Sequence, residues 1–156
     1  MSKKIKFIWI GKLKKRYWQS AVDNYLQKLS RYYTIQEVCL KSAPGNLSPQ
    51  KKLEVEEEAV KKKITLRDRL ISLDSQGSQY TSDSFAACLR SWHQDPGLEP
   101  CFIIGGPFGL SKGLKKRSDL LLSFGLLTLP HELARVVLVE QLYRAASILS
   151  NHPYHH

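Results

Sequence analysis

Residues 101–111, CFIIGGPFGLS, decide the fold. Cys101, Phe102, Ile103 and Ile104 form an unbroken apolar run, the pattern of a strand buried on both faces. Gly105, Gly106 and Gly109 end the run, and Ser111 stands where a helix N-cap belongs, ahead of KGLKKR. A buried strand that passes through a glycine turn into a helix is one step of an open α/β sheet. Ligands of such sheets bind at the carboxyl ends of the strands, and glycine there lets the backbone approach a ligand or take a positive φ. A valine at Gly105 is therefore expected to intrude on ligand space while the fold survives. A tight strand-to-helix turn with no ligand accounts for the same residues.

The pattern repeats on both sides of this stretch. Upstream, Ile5–Ile10 reads as a strand ended by Gly11, and Arg16–Tyr33 has apolar residues at helical spacing. Thr34–Leu40 is a second strand. Ser48 and Pro49 open a helix whose mixed-charge run, KKLEVEEEAVKKK, is its solvated face. Arg69–Leu73 is a third strand closed by the turn DSQGSQ, and Thr81 or Ser82 caps a helix running to about Trp92. Downstream, Leu120–Phe124 is a fifth strand, and Pro130 opens a long helix reaching about Ser150. Strands alternating with helices predict an α/β class fold, a mostly parallel sheet with flanking helices, in a single domain over residues 1–156.

Composition narrows the function classes. Lys and Arg number 24 against 14 Asp and Glu, a formal charge of +10, so the surface attracts polyanions such as nucleic acid. No apolar run is long enough to cross a bilayer, and the short, Lys-interrupted segment near the N-terminus reads as a strand, not a signal peptide. The expectation is a cytoplasmic protein without a membrane partner. The scattered Cys39, Cys88 and Cys101 are expected to be free thiols, with Cys39 and Cys101 buried in their strands.

Several familiar motifs fail. Lys112 lies at the wrong offset for a phosphate-binding P-loop, and too few residues follow Gly109 for a dinucleotide-binding half. PHEL at 130–133 lacks the second histidine of a zinc-protease motif, because position 135 is Arg, and no G-x-S-x-G elbow is present; no metal is expected. The last helix, Leu133 to Leu149, is apolar nearly all round, which requires burial nearly all round. Packing on the sheet with one face and on a second subunit with the other would satisfy it. Its arginines should pair with carboxylates or face a ligand.

The blocks IGG, LTLPHELAR, VEQLYRA and PYHH, in this order, together with the opening KIKFIWIGKLKKRYWQSAVDNYLQKLSRY, closely resemble the RlmH family, the 23S rRNA (pseudouridine-N3)-methyltransferases of the SPOUT class. The resemblance spans essentially the whole chain and is weakest over residues 41–63. It departs at SQG after Asp74 and at Pro107 and Phe108 in the glycine turn. The resemblance implies a C-terminal trefoil knot that holds S-adenosyl-L-methionine in three loops: at Leu73, at Gly105, and at Phe124, Gly125, Leu126, Leu127, Thr128 and Leu129. It implies a homodimer whose second subunit completes the site, and a target in the helix 69 loop of 23S rRNA within the assembled ribosome. For catalysis, Tyr154 and His155 of the tail are candidates for handling the N3 proton, and Arg144 for stabilising the uracil anion. The competing readings are a SPOUT enzyme for another RNA, such as tRNA, and a non-catalytic basic RNA-binding or ribosome-assembly protein.

Overall fold

The structure, a computed structural model, describes residues 2–154. Five strands and five helices alternate along these residues: β1 (Lys4–Ile10), α1 (Arg16–Leu29), β2 (Thr34–Leu40), α2 (Pro49–Lys61), β3 (Asp68–Ser78), α3 (Ser82–Trp92), β4 (Glu99–Ile104), α4 (Lys112–Arg117), β5 (Leu120–Leu122) and α5 (His131–Leu149). They build one sheet in the order β2-β1-β4-β3-β5. Every pairing is parallel.

The sequence explains the layering. β1 and β4 lie in the sheet's interior and are apolar at consecutive positions, so each feeds both faces. Ile5, Phe7, Trp9, Phe102 and Ile104 meet α1, α3 and α5 in the larger core, through Val22, Leu26, Phe85, Leu89, Leu138 and Leu142. Ile8, Ile10, Cys101 and Ile103 meet Val60 of α2 and Leu114 of α4 in the smaller one. Caps set the helix starts. Ser48 Oγ accepts the Lys51 N–H with Pro49 in the first turn, Thr81 and Ser84 form a reciprocal capping box, and Ser111 Oγ accepts the Leu114 N–H.

Four expectations shift. The first helix stops at Leu29, because Tyr33 leaves its axis to stack on His93 and Thr34 N–H bonds the Lys3 carbonyl at the start of β2. The third strand does not end at a turn after Leu73. It continues to Ser78 through an irregularity, with both Leu73 and Ser78 registered on Leu122. Gly77 permits this, because a Cβ there would sit 2.5 Å from the Leu121 carbonyl oxygen. Cys39 is exposed rather than buried, since β2 is an edge strand; Cys101 is buried, and burial pushes its thiol up to about 12.

The fourth shift concerns α5. It packs against both α1 and α3 over the sheet, so neighbours within the chain bury much of its circumference. Being the middle of three helices accounts for a large part of the all-round apolar pattern without a second subunit. The side away from the sheet, with Val136, Val137 and Tyr143, remains half-buried.

Candidate functional site

The carboxyl ends of β3, β4 and β5 and the first turn of α5 enclose a cavity of about 610 Å³. Leu73, Asp74 and Ser75 come from β3; Ile104, Gly105, Gly106, Pro107, Gly109 and Leu110 from β4 and its turn. Leu122, Phe124, Gly125, Leu127, Thr128 and Leu129 come from β5 and the following loop, and Pro130, His131, Glu132 and Ala134 from α5, with Lys115 of α4 at the edge. Seven of the eight residues expected at a cofactor thus share one wall system. The eighth, Leu126, is not part of the lining and is 85% exposed; Leu127 lines the mouth but is itself 83% exposed.

The glycine turn has a different rationale at each position. A Cβ on Gly105 would collide with the carbonyl of Gly109, so Gly105 is needed for the turn to close on itself, not for ligand space. The expectation that a valine there leaves the fold intact is therefore corrected. Gly109 has φ +74°, and its N–H bonds the Gly106 carbonyl at 2.9 Å. A Cβ on Gly106 would meet only ordinary contacts, 3.8 Å from a Glu56 carboxylate oxygen and from Ile10 Cγ2.

Ser123, which sequence reading missed, fixes the third loop. Its buried Oγ accepts the Gly125 N–H at 3.0 Å and lies 3.0 Å from the carbonyl oxygens of both Ser75 and Gly125. The Ser123 N–H also donates to the Ser78 carbonyl at 2.8 Å. One residue therefore ties the irregular end of β3 to the loop at 124–129. The SQG sequence after Asp74 gives no signal of it beyond the small residues themselves.

Two ion pairs set the cavity's electrostatics. Lys115 Nζ lies 2.8 Å from Asp74 Oδ2. Burial works to raise the Asp74 pKa, but the Lys115 ammonium and the Gln76 N–H outweigh it and hold the carboxyl below its ordinary value. His131 Nε2 lies 2.9 Å from Glu132 Oε1. Burial lowers the His131 pKa; Glu132 opposes this and Arg135 reinforces it, leaving the imidazole below its usual 6.5.

The catalytic candidates stand elsewhere. Arg144 donates from Nε and Nη2 to Glu140 Oε1, at 3.1 and 2.6 Å, and the Tyr154 hydroxyl donates to the same oxygen at 3.3 Å. The Arg144 guanidinium lies 5.0 Å from the centre of the Tyr154 ring. Burial, then Tyr25 and Glu140, raise the Tyr154 pKa, so in this arrangement the phenol keeps its proton and serves as a hydrogen-bond donor, not as a base. Neither residue lines the cavity. Arg144 is twelve residues beyond Glu132 on α5, about 18 Å along the helix axis. His155 lies outside the described residues. The other arginine of this helix is neither paired with a carboxylate nor directed at a ligand. Arg135, 2% exposed, donates from Nη2 to the carbonyls of Ile10 and Gly11, at 2.7 and 2.8 Å.

Known proteins share both the sequence and the architecture. Residues 3–155 match the family described as "Predicted SPOUT methyltransferase". The chain is 47% identical to a ribosomal RNA large subunit methyltransferase H from Maridesulfovibrio salexigens over 153 residues, covering 98% of each chain. It is 39% identical to the protein of the same name from Streptococcus mutans, covering 97% of this chain and 99% of that one. Among solved structures, a probable methyltransferase from Bordetella pertussis Tohama I is similar with a TM-score of 0.61 at 12% identity, over 92% of this chain and 95% of that one. The SpoU methyltransferase AviRb from Streptomyces viridochromogenes, solved with AdoMet, is similar with a TM-score of 0.50 at 12% identity, over 97% of this chain and 60% of that one. The structural likenesses speak for the fold alone, but the sequence match runs from β1 into the tail: this chain belongs to the SPOUT methyltransferase family.

Proposed function

We propose that this chain is an S-adenosyl-L-methionine-dependent methyltransferase that methylates N3 of a pseudouridine in the helix 69 loop of 23S rRNA, acting in the cytoplasm on assembled ribosomes. The observation that carries the reading is the convergence of three separate loops on one cavity. Leu73, Gly105 and the segment 124–129 are 56 residues apart from first to last in sequence, yet they face the same space. The relatives' shared name supplies the RNA class, and the +10 charge supports a polyanionic substrate.

The cavity suits the cofactor. Its volume falls in the range of about 300–1,000 Å³ usual for small-molecule sites. Ile104, Leu110, Leu122 and Leu129 offer an apolar slot for a purine, and the backbone of the glycine turn and of 124–129 offers hydrogen-bonding groups. Glu132 supplies negative charge toward a cationic ligand, while Asp74 is held by Lys115. When bound, the cofactor contributes a sulfonium-activated methyl group. The chain's own residues orient it and exclude water from the slot. The target N3 must give up a proton. In this proposal His155 of the tail takes that proton, Tyr154 keeps its own and hydrogen-bonds the target base, and Arg144 stabilises the resulting anion.

Arg144, and Tyr154 of the tail packed beside it, stand too far from the start of α5 to serve their own chain's cavity, so we assign them to the cavity of a second copy in a homodimer. The half-buried outer side of α5 is the natural contact, and the loops that hold the cofactor form the trefoil knot of a single domain spanning residues 1–156. Mass mapping of 23S rRNA from cells lacking the protein tests the function. The helix 69 pseudouridine should lose one methyl group and regain it when the purified protein and S-adenosylmethionine are added to those ribosomes. An unchanged nucleotide would overturn the assignment.

A further inference from the structure

Five cations gather at the carboxyl edge of the sheet without carboxylate partners. Lys12, Lys14, Lys15 and Arg16 follow β1, Lys41 follows β2, and all five are exposed. None makes an ion pair among the described residues, and the first turn of α1 holds no acidic residue. At the opposite edge, Lys6, Arg67 and Arg69 each meet a carboxylate. Like charges held together in the free chain repel, and a polyanion relieves that repulsion.

The register places this cluster beside the cavity. Trp9 of β1 pairs with Ile104 of β4, so the chain leaves β1 next to the point where β4 enters the glycine turn. The base of the loop is fixed. Gly11, at φ +84°, donates to the Leu40 carbonyl at 2.7 Å, and Arg135 holds the Ile10 and Gly11 carbonyls from within α5. Leu13 packs against the larger core, which leaves its charged neighbours in solvent. Exposed aromatic rings flank the route to the cavity: Tyr17, next in sequence to Arg16, is 63% exposed, and Phe108 of the cavity-forming glycine turn is 53% exposed with Lys52 Nζ 5.3 Å from its ring centre.

We propose that the β1–α1 loop, with Lys41 beside it, is the surface on which the phosphate backbone of the substrate RNA docks, carrying the target base to the adjacent cavity. The proposal rests on the reading that the substrate is RNA. Cations and exposed rings together fit a nucleic-acid strand, whose phosphates meet the ammonium groups while unstacked bases lie on the rings. An acidic protein surface would use the charges and leave the rings without a role.

The test compares K12Q/K14Q/K15Q with a control that removes the same charge from the opposite edge, K62Q/K63Q/R67Q. Binding to ribosomes and to protein-free 23S rRNA is measured across a potassium chloride series, and S-adenosylmethionine binding is followed by calorimetry. The loop variant should bind both RNA targets about tenfold or more weakly, with the slope of log affinity against log salt shallower by about 2–3. Its cofactor affinity should stay unchanged, and the control should remain near wild type. Equal losses in the two variants would reduce the effect to net charge and overturn the proposal, as would no loss in either. A loss on ribosomes that disappears on protein-free RNA would point to a ribosomal protein and overturn it too. Wild-type protein that binds RNA through this loop yet never takes up S-adenosylmethionine would leave the docking surface standing and remove the methyltransferase reading.

Discussion

Arg135 donates to the Gly11 carbonyl at 2.8 Å across 124 residues of sequence, joining the first helical turns of α5 to the end of β1. The same nitrogen holds the Ile10 carbonyl, while Nε has no partner and the guanidinium carbon lies 5.4 Å from the Trp9 ring centre. Replacing Arg135 with Met removes a costly buried charge but strands the Ile10 carbonyl and leaves the Gly11 carbonyl only the weakly donating Cys39 thiol at 3.5 Å. The loss at the two acceptors outweighs the relief. The variant should lose about 1–3 kcal/mol in urea unfolding, and its RNA binding should weaken because the loop after Gly11 is no longer held. A variant as stable as wild type would show that water takes over both carbonyls.

The glycine turn yields a contrast between neighbours. Gly105→Ala drives a methyl group into the Gly109 carbonyl, so the turn must open, at a cost of about 1–3 kcal/mol. Cofactor affinity should fall at least tenfold with it. Gly106→Ala meets only ordinary contacts, and both stability and affinity should stay close to wild type. Thermal melts and calorimetry on the two variants check this; equal behaviour would contradict the geometry.

The strand–helix alternation, the caps at Ser48, Thr81 and Ser111, and the glycine turn were all legible in the sequence because each is a local signal. Three features were not, and each depends on contacts between distant residues. Gly77 matters because of the backbone of β5, Ser123 because of the β3 irregularity, and Arg135 because of β1. The apolar girth of α5 was visible, but not how much of it α1 and α3 cover. Periodicity reports how much of a helix is buried and is silent about which neighbour buries it.

His131 makes cofactor binding sensitive to pH. The charged groups around it are Glu132 and Arg135 on its own helix, Asp74 from β3 and Lys115 from α4. Because burial lowers its pKa below 6.5, the ring is neutral at pH 7 and Glu132 keeps its negative charge for a cationic ligand. Acidification charges His131, which then satisfies Glu132 internally. Affinity for S-adenosylmethionine should fall as pH drops below 6.5, and His131→Gln should flatten that dependence. Stability carries the same sign: the unfolded chain takes up this proton first, so the contribution is full above 6.5 and drains as pH falls through the folded value. Calorimetry and urea titrations at pH 7.5 and about 5.5 would read both, and a slope identical in His131→Gln would acquit the residue.

The separation between cavity and tail predicts complementation between chains. A chain cut before Pro153 keeps every cavity-lining residue and loses Tyr154 and His155. It should bind S-adenosylmethionine normally and transfer no methyl group. A Gly105→Ala chain keeps its tail and loses its cavity. If one protomer's tail serves its partner's cavity, a mixed dimer contains one site in which both parts are intact. In a two-fold dimer with free exchange, half of the dimers are mixed and one site in two works, so an equimolar mixture should recover about a quarter of wild-type transfer on ribosomes. With S-adenosylmethionine held near the wild-type dissociation constant, the cut chain alone should be inactive and the Gly105→Ala chain alone should transfer well below a quarter of the wild-type rate. Recovery requires exchange, so the two chains are unfolded and refolded together, and the mixed species is isolated through distinct tags. A purified mixed dimer without activity would place tail and cavity in the same chain, which the length of α5 between Glu132 and Arg144 argues against.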